Sequence, residues 1–258
     1  MKTEMVINEK YSHLEDFVRQ LPENFQNLGD LIYAGRNDVR VIEVNGLRLA
    51  VKFFKRMTLV NRYVYATMRK TKAQRSFEHT GFLLENGITS PENVAYINSY
   101  KSGRLDKAFY VSVYTNYQPL NDLISRPISE TAEAFKAFAG FTYRLHSCGI
   151  YHNDFTIFNI LYSYDGREYD FSLIDNNRMA FGSYSYHKGM RNLKRLSIPV
   201  EILGLIAAEY SRVARVDELK TILILSFFRW HYLSRHLFKW KMKAPIRWLK
   251  RKHAERAC

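Results

Sequence analysis

One short segment and an aspartate further along carry the clearest chemistry in this chain. His152, Asp154 and Asn159 form the pattern His-x-Asp-x-x-x-x-Asn, and Asp175 follows a short apolar run. In phosphoryl transfer from ATP, one aspartate accepts the proton of the substrate hydroxyl, while an asparagine and a second aspartate hold Mg²⁺ against the phosphates. The pattern therefore predicts Asp154 as the catalytic base, Asn159 and Asp175 as metal ligands, and ATP and Mg²⁺ as cofactors. His152 is predicted to support the loop.

Each of these residues also has an ordinary structural interpretation. A single Asp or Asn in a loop most often caps a turn or a helix. The combination is more specific, because the hairpin signal Asp165-Gly166 falls between Asn159 and Asp175, as in kinase sites. Protein kinases continue from the metal-binding Asp as Asp-Phe-Gly. Here the continuation is Asn176-Asn177-Arg178, so this part of the match depends on the aspartate alone.

A lysine on a predicted strand supplies the cation that such a site needs. Lys52 lies in the apolar run 47–54, the place of the kinase lysine that contacts ATP phosphates, and is predicted to serve catalysis and cofactor binding. Its expected partner is Glu78 on the next predicted helix, with Glu85 as the alternative. Gly35, between two predicted strands, is the candidate for covering the phosphates with backbone N–H groups, although the pattern G-x-G-x-x-G is absent.

The elements that would position these residues begin with a small sheet. Strand patterns occur at 31–33, 39–44, 47–54, 94–98 and 107–114. Asn45-Gly46 predicts a type I′ hairpin, and a helix is predicted over 70–85. The later chain is mainly helical, over 129–148 and 188–244. This order predicts an α+β, bilobal protein-kinase-like fold, with a small antiparallel-sheet N-lobe that has one main helix and a mostly helical C-lobe.

The same patterns suggest four parts of the chain. Residues 1–27 are predicted to form an N-terminal arm, either a short helix or a loose segment. Residues 28–115 form the ATP-binding N-lobe, and residues 116–228 form the C-lobe with the catalytic and metal-binding loops. Residues 229–258 are a basic aromatic tail of the C-lobe.

Charge points to anionic partners. The chain has 258 residues and a formal net charge of +14, which favours acidic lipids, nucleic acids or phosphorylated sugars. Residues 229–256 contain ten Lys or Arg, one acid and all three Trp. No nucleic-acid recognition module is visible, so nucleic acid is not an expected partner.

The tail has the pattern of a membrane-surface helix. In a helix over 227–243, one face carries Trp230, Leu233, Leu237 and Trp240, and the opposite face carries Arg235, Lys239 and Lys243. Such basic amphipathic helices lie on anionic membrane surfaces. The alternative is that the aromatic face packs on the C-lobe and the charges are solvated.

The remaining composition predicts a cytoplasmic protein. The start has no signal-peptide pattern, the apolar runs are too short to cross a bilayer, and Cys148 and Cys258 give no disulfide framework. We expect a monomer, peripheral on the inner face of the inner membrane.

These motifs resemble the lipopolysaccharide kinases of the Kdo/WaaP type within the protein-kinase-like superfamily. The resemblance covers about 31–196, and its residues are Arg75-Ser76-Phe77-Glu78, the run 83–91, the run Leu145-His146-Ser147-Cys148-Gly149-Ile150-Tyr151-His152-Asn153-Asp154, Asn159-Ile160-Leu161 and Leu173-Ile174-Asp175. It implies an enzyme that uses ATP and Mg²⁺ to phosphorylate a hydroxyl of Kdo or heptose. The site residues it implies are Lys52, Glu78, Asp154, Asn159 and Asp175. The partner would be a lipopolysaccharide core or lipid A precursor glycolipid.

Several features leave other functions open. Asn153 replaces the Arg of many kinases, which suggests that phosphorylation of an activation loop does not switch this chain on. Asn192 stands where an Asp is expected in a late helix. A protein Ser/Thr/Tyr kinase is disfavoured because Ala-Pro-Glu is absent after Asp175. A catalytically silent kinase-like membrane adaptor is disfavoured because the chain has all four of these residues: Lys52, Asp154, Asn159 and Asp175. The candidate contacts for anionic acceptor groups are Arg36, Arg75, Arg178 and Lys188.

Overall fold

The structure, a computed structural model, describes residues 2–242. Its strands are β1 (Lys2–Ile7), β2 (Asp30–Ala34), β3 (Asp38–Val44), β4 (Leu47–Phe53), β5 (Asn93–Lys101), β6 (Arg104–Val113), β7 (Gln118–Pro119), β8 (Ile150–His152), β9 (Ile160–Tyr164), β10 (Tyr169–Leu173) and β11 (Met179–Phe181). Its helices are α1 (Glu15–Asn24), α2 (Leu59–Thr67), α3 (Lys72–Glu85), α4 (Ile128–Ser147), α5 (Tyr186–Leu193), α6 (Val200–Ala214) and α7 (Glu218–Met242).

The chain divides into two compact units. The first comprises the described residues of Met1–Leu123, His152–Asp154 and Phe158–Ala180, and the second those of Ile124–Tyr151, Phe155–Ile157 and Phe181–Cys258. The segments with the predicted catalytic and metal-binding residues therefore pack with the sheet of the first unit, although they follow it far along the chain. The predicted domain limits, which follow chain order, stay a prediction.

The first unit is built on a six-stranded antiparallel sheet. Its strand order is β1-β5-β6-β4-β3-β2. Asn45 and Gly46 have φ angles of 52° and 76°, as a type I′ turn requires, so the predicted hairpin between β3 and β4 is confirmed. Lys52 lies on β4, opposite Val39 of β3 and Tyr110 of β6. A strand paired on both sides thus fixes the position of the predicted ATP-anchoring lysine.

The N-terminal segment belongs to the core of the first unit. β1 pairs with β5, with Met5 opposite Ile97. α1 buries Val18 and Leu21 in a cluster with strand residues such as Leu49. The prediction of a helix here is confirmed, and that of a loose arm is wrong. Residues 1–27 show no single spacing of apolar residues, because the segment contains both a strand and a helix and these have different periods.

Two helices lie between β4 and β5 in the chain. The predicted helix over 70–85 is confirmed as α3, which begins after Thr71, whose Oγ1 accepts a hydrogen bond from the Gln74 N–H at 3.0 Å. α2 was not predicted. Its apolar side chains do not form a buried stripe, since Leu59 and Val60 are 69% and 72% exposed. The spacing of apolar residues therefore gave no signal for α2.

The second unit is helical, and α4 and α6 form its centre. Phe135 and Phe138 of α4 are buried together with Ile206 and Tyr210 of α6. α4 confirms the helix predicted over 129–148. At its end, the N–H of Gly149 donates to the His146 carbonyl oxygen at 2.8 Å. Gly149 has a φ of +69°, and a Cβ there would overlap the carbonyl oxygen of Gly182, so only glycine fits this turn.

A buried histidine lies in that core. Nε2 of His146 donates to Oδ1 of Asn192 and Nδ1 accepts from the Tyr210 hydroxyl, both at 3.1 Å. Burial lowers the pKa of His146 to about 4 from an ordinary value of 6.5, against the opposing effect of the Asn192 hydrogen bond. The imidazole is therefore neutral in the folded protein at neutral pH.

Mild acid should destabilise the protein through His146. Between pH 6.5 and about 4 the unfolded chain binds a proton that the folded chain excludes, so the free energy of unfolding falls as the pH falls through this range. Between pH 7 and 5 the loss from this group is about 2 kcal/mol. Urea unfolding should show that the free energy of unfolding falls less between pH 7 and pH 5 for His146→Gln than for the wild type. The exposed-residue control His13→Gln should keep the wild-type drop, and equal drops in all three proteins would contradict the assignment.

In the described residues, no helix is both long and apolar enough to span a membrane. Cys148 is a free, exposed thiol. Cys258, Lys243 and Trp248, which belong to the predicted basic tail, lie outside the described residues.

Candidate active site

His152 supports the backbone of the loop that carries Asp154. Its side chain is fully buried. Nδ1 accepts a hydrogen bond from the Asp154 N–H at 3.1 Å, so Nε2 carries the proton and donates to the Ile174 carbonyl oxygen at 3.2 Å. Burial lowers the pKa of His152, which keeps the ring neutral and preserves this division of donor and acceptor. One imidazole thus ties the Asp154 loop to the residue before Asp175, the supporting role predicted for it.

Asn159 is oriented by the same loop. Its Nδ2 donates to the carbonyl oxygen of Asp154 at 2.9 Å. Its own carbonyl oxygen accepts from the Ile174 N–H at 3.0 Å. Because the amide nitrogen is engaged with the loop, the side-chain atom that Asn159 offers to a metal is Oδ1, an oxygen of the kind that Mg²⁺ prefers.

Lys52 and Asp175 come together although 123 residues separate them. Nζ of Lys52 lies 2.7 Å from Oδ1 of Asp175, and the side chains are 19% and 30% exposed. Burial alone would raise the pKa of Asp175, but the charge and hydrogen bond of Lys52 outweigh it and hold the pKa below its ordinary value. The carboxylate is therefore ionised at neutral pH, beside the cation predicted to contact phosphates.

The backbone at Asp175 makes a sharp turn. Its φ and ψ are 59° and 43°, in the left-handed region, which is uncommon for a residue with a side chain and recurs at functional sites. Nδ2 of Asn177 donates to Oδ1 of Asp175. The residues that replace Phe-Gly after the aspartate therefore help to hold its carboxylate.

A group of polar contacts that the sequence did not reveal attaches this segment to α3. Nδ1 of His79 donates to the Asn176 carbonyl oxygen at 2.7 Å. Nδ2 of the buried Asn176 lies 2.9 Å from Oγ1 of Thr80 and 2.9 Å from Oγ of Ser90. The only signal in the sequence was the unusual Asn176-Asn177 pair, and its partners lie some ninety residues away.

The expected ion pair between Lys52 and Glu78 is wrong. Among the described residues, Glu78 pairs with Lys70, whose Nζ lies 2.9 Å and 2.8 Å from the two carboxylate oxygens, and Gln74 donates to it as well at 3.1 Å. Lys52 instead pairs with Asp175, at 2.7 Å. Glu85, the alternative partner, is exposed at the end of α3. A role for Glu78 in cofactor binding stays a prediction.

The loop predicted to cover the phosphates is closed on itself. The N–H of Gly35 donates to the Asn37 carbonyl oxygen at 3.0 Å, and the Arg36 carbonyl oxygen accepts from the Arg56 N–H at 3.2 Å. The Gly35 N–H would have to exchange its partner to reach a phosphate. Its cofactor role also stays a prediction.

The basic residues named as acceptor contacts are divided between the units. Nη1 of Arg178 lies 3.2 Å from Oδ2 of Asp154, and Arg178 and Arg75 line one cavity of the first unit. Lys188 belongs to the second unit, with Nζ 5.9 Å from the centre of the Tyr151 ring.

Comparison with known proteins decides the family. The model of the lipopolysaccharide kinase (Kdo/WaaP) family matches residues 38–216, well over half of the chain. The chain belongs to this family. A solved structure described as WaaP in complex with acyl carrier protein aligns with a TM-score of 0.59 at 16% identity, covering 86% of this chain and 96% of that one. No curated protein sequence matches.

Membership in the Kdo/WaaP family confirms the predicted resemblance and the enzyme class. The chain is a kinase of the lipopolysaccharide core that uses ATP. The structural likeness confirms the protein-kinase-like fold, with a mixed architecture and an antiparallel sheet.

The two departures from the expected kinase pattern have different surroundings. Asn153 is exposed, and its N–H donates to the Arg178 carbonyl oxygen at 2.7 Å. Asn192 is buried and accepts from His146 inside the second unit. This contact gives Asn192 a structural role in packing the helices.

The donor set suits a hard cation held mainly by its substrate. In the described part of the chain, no three His, Cys, Asp or Glu residues form a metal cluster. The oxygens available at the predicted site are those of Asp175 and Asn159. One carboxylate and one amide match the way Mg²⁺ binds at phosphoryl-transfer sites, where substrate phosphates and water complete its coordination.

Proposed function

We propose that this kinase transfers the γ-phosphate of ATP to a sugar hydroxyl, of Kdo or heptose, in the inner core of a lipopolysaccharide or lipid A precursor. The observation that carries the proposal is the joint placement of Asp154, Asn159, Asp175 and Lys52. Asn159 bonds to the backbone of Asp154, and His152 bonds to the backbone of Ile174, the residue before Asp175. Lys52 contacts the Asp175 carboxylate at 2.7 Å.

Asp154 would act as the base. The sugar hydroxyl donates its proton to the Asp154 carboxylate as its oxygen forms a bond to the γ-phosphorus, and the bond from that phosphorus to the oxygen bridging to ADP breaks. Because the transition state is loose, the carboxylate mainly orients the hydroxyl and takes the proton late. Arg178, 3.2 Å from Oδ2 of Asp154, would limit the rotation of this carboxylate.

Lys52, Asn159 and Asp175 would hold the nucleotide. Lys52 supplies a fixed positive charge for the phosphates, and Oδ1 of Asn159 and the carboxylate of Asp175 are the ligands for Mg²⁺. Bound there, the cation would neutralise charge on the phosphate oxygens. The 2.7 Å contact between Lys52 and Asp175 supports this proposal, because the role needs a cation and a metal ligand close together.

The test is phosphate transfer to defined glycolipids. Purified protein, radiolabelled ATP and Mg²⁺ are incubated with a lipid A precursor that carries Kdo alone, and with one that carries Kdo and heptose. We expect labelled glycolipid, and mass spectrometry of the product identifies the sugar. Labelling of proteins but of neither glycolipid would favour a protein kinase, and ATP binding without any transfer would favour a silent adaptor.

The same proposal includes work at a membrane. We propose that the protein acts as a monomer on the cytoplasmic face of the inner membrane, with α7 against the anionic lipid surface. Four apolar residues of α7 support this, since they are 45% to 65% exposed: Trp230, Leu233, Leu237 and Trp240. The helix is held to its own unit by other residues, such as Arg229, which donates to the Ile198 carbonyl oxygen at 2.7 Å.

Vesicle flotation tests the membrane contact. Truncation before Arg229 would break its bonds to the second unit, so point variants are the better choice. Trp230→Gln combined with Leu237→Gln should lower binding to vesicles with anionic phosphatidylglycerol about tenfold, because two exposed apolar side chains are lost. The control Val200→Gln with Val216→Gln, also exposed in the second unit, should bind like the wild type. Unchanged binding of the first variant would argue against the contact.

A further inference from the structure

A basic cavity opens in the first unit next to the predicted base. Its volume is about 310 Å³, within the range of small-ligand sites. Four cations line it, Arg69, Lys72, Arg75 and Arg178, together with the amides of Asn153 and Asn177. We call this cavity, with these six residues, the anion pocket.

The positive charge of the anion pocket is not neutralised by its own lining. None of the residues that line it is acidic. In the part of the chain that the structure describes, no carboxylate pairs with Arg69, Lys72 or Arg75. Other cations of the first unit do have a carboxylate partner: Lys10, Lys52, Lys55 and Lys70. Arg178 alone reaches an acid, the predicted base Asp154. Four cations around one cavity repel one another unless an anion lies between them.

The pKa values show the same crowding. Burial lowers the pKa of Lys72, and the charges of Arg178 and Arg36 lower it further. Burial also lowers the pKa of Arg75, followed by the charge of Arg69. A bound anion would stabilise the charged form of both groups and offset the cost of burying them.

Two of the cations extend from one capped helix end, and Arg75 also bonds to that helix. Lys72 and Arg75 lie in the first turn of α3, which Thr71 caps, and Nε of Arg75 lies 3.4 Å from the Thr71 carbonyl oxygen. The same helix is attached to the segment after Asp175 through His79. Rigid donors of this kind lose little conformational entropy on binding an anion, which favours affinity.

The anion pocket borders the segments of both predicted acids. Nδ2 of Asn177, in its lining, donates to Oδ1 of Asp175, the oxygen that Lys52 also contacts. Arg178 joins the pocket to the other carboxylate, Asp154, across 3.2 Å, and Asn153 is the residue directly before that base. A ligand group in the pocket therefore lies beside the atom that receives the acceptor proton.

We propose that the anion pocket binds a carboxylate or phosphate of the acceptor glycolipid next to the hydroxyl that is phosphorylated. The inference rests on the proposed function and narrows its substrate. An acceptor sugar with its own carboxylate, such as Kdo, supplies the anion that the pocket binds. A neutral heptose supplies none, so its acceptor would need a neighbouring charged group.

Kinetics with matched acceptors test the pocket. The acceptors are a Kdo-bearing lipid A precursor, the same molecule with the Kdo carboxyl reduced to an alcohol, and the same molecule without lipid A phosphates. Arg75→Gln and Arg69→Gln should raise the KM of the native acceptor about tenfold, the value of one charge-assisted hydrogen bond, and leave the KM of ATP unchanged. Arg104→Gln, an exposed arginine of β6 outside the pocket, controls for lost net charge.

The pattern across acceptors identifies the anion. If the pocket binds the Kdo carboxylate, Arg75→Gln should not raise the KM of the acceptor with the reduced carboxyl. If it binds a phosphate, Arg75→Gln should not raise the KM of the acceptor without lipid A phosphates. Arg75→Lys should restore part of the lost affinity, which a folding defect would not allow. A rise in the KM of ATP, or an equal effect on all three acceptors, would overturn the proposal.

Equilibrium binding separates this inference from the proposed function. Free Kdo and inorganic phosphate are titrated into wild type and Arg75→Gln, with the melting temperature as a check on folding. If wild type transfers no phosphate to glycolipids but binds either probe through Arg75, the pocket stands and the function fails. If transfer proceeds and Arg75→Gln alters neither the acceptor KM nor probe binding, the pocket fails and the function stands.

Discussion

Replacing Asp154 with asparagine should lower kcat for phosphate transfer about a thousandfold, within the usual range for a general base. Asparagine keeps the size of the side chain but cannot take the proton of the sugar hydroxyl. Because Lys52 and Asp175 are unaffected, the KM of ATP should stay within about twofold. Steady-state kinetics with the glycolipid acceptor measure both quantities.

The chain offers a closely matched control for this variant. Asp106 is 32% exposed and lies 3.8 Å from Arg62, while Asp154 is 30% exposed and lies 3.2 Å from Arg178. Asp106→Asn should therefore have a similar effect on melting temperature and none on kcat. If Asp154→Asn keeps more than about a tenth of the wild-type kcat, Asp154 is not the base.

Replacing Asp175 with asparagine should lower kcat at least as much and weaken the dependence on Mg²⁺. The variant loses the one carboxylate of the predicted metal site, so saturation with Mg²⁺ should require a much higher concentration of the ion. It also leaves the ammonium of Lys52, 19% exposed, without its partner, which costs about 1–3 kcal/mol of stability. Kinetics over a range of Mg²⁺ concentrations and urea unfolding measure the two effects.

A double variant separates these effects. Lys52→Met in the Asp175→Asn background removes the unpaired cation and should recover stability, while activity stays low because the metal ligand is still absent. Asp170→Asn, on the neighbouring strand β10, is the control for activity, since its carboxylate bonds to Tyr117 at 2.7 Å. Normal Mg²⁺ saturation in Asp175→Asn would refute the assignment of this ligand.

Local signals predicted most of the sheet. The Asn45-Gly46 turn and the alternation on either side predicted β3 and β4, because the backbone angles of a tight turn depend on the residues that form it. The N-terminal strand and α2 were missed for a different reason. β1 is an edge strand with mostly exposed or half-buried side chains, and α2 keeps Leu59 and Val60 in solvent, so neither has a clean apolar period.

The candidate site shows the same contrast between near and distant residues. The spacing of Asp154 and Asn159 predicted a shared loop, and one hydrogen bond of 2.9 Å joins them. The partner of Lys52 depended instead on how a distant hairpin packs. A glutamate on α3 and an aspartate after β10 were both chemically suitable, and only the tertiary fold brings Asp175 close while Lys70 engages Glu78.

The buried contacts of Asn176 have a consequence for control of the enzyme. In kinases that are switched on and off, activity depends on the position of the helix after the lysine strand and on that of the metal-binding Asp. Here His79 and Thr80 of α3 form hydrogen bonds with Asn176, the residue that follows Asp175. Movement of α3 or of the Asp175 segment alone would therefore leave buried polar groups without hydrogen-bond partners. We therefore expect an enzyme that is always competent, whose output follows the supply of its glycolipid acceptor and ATP.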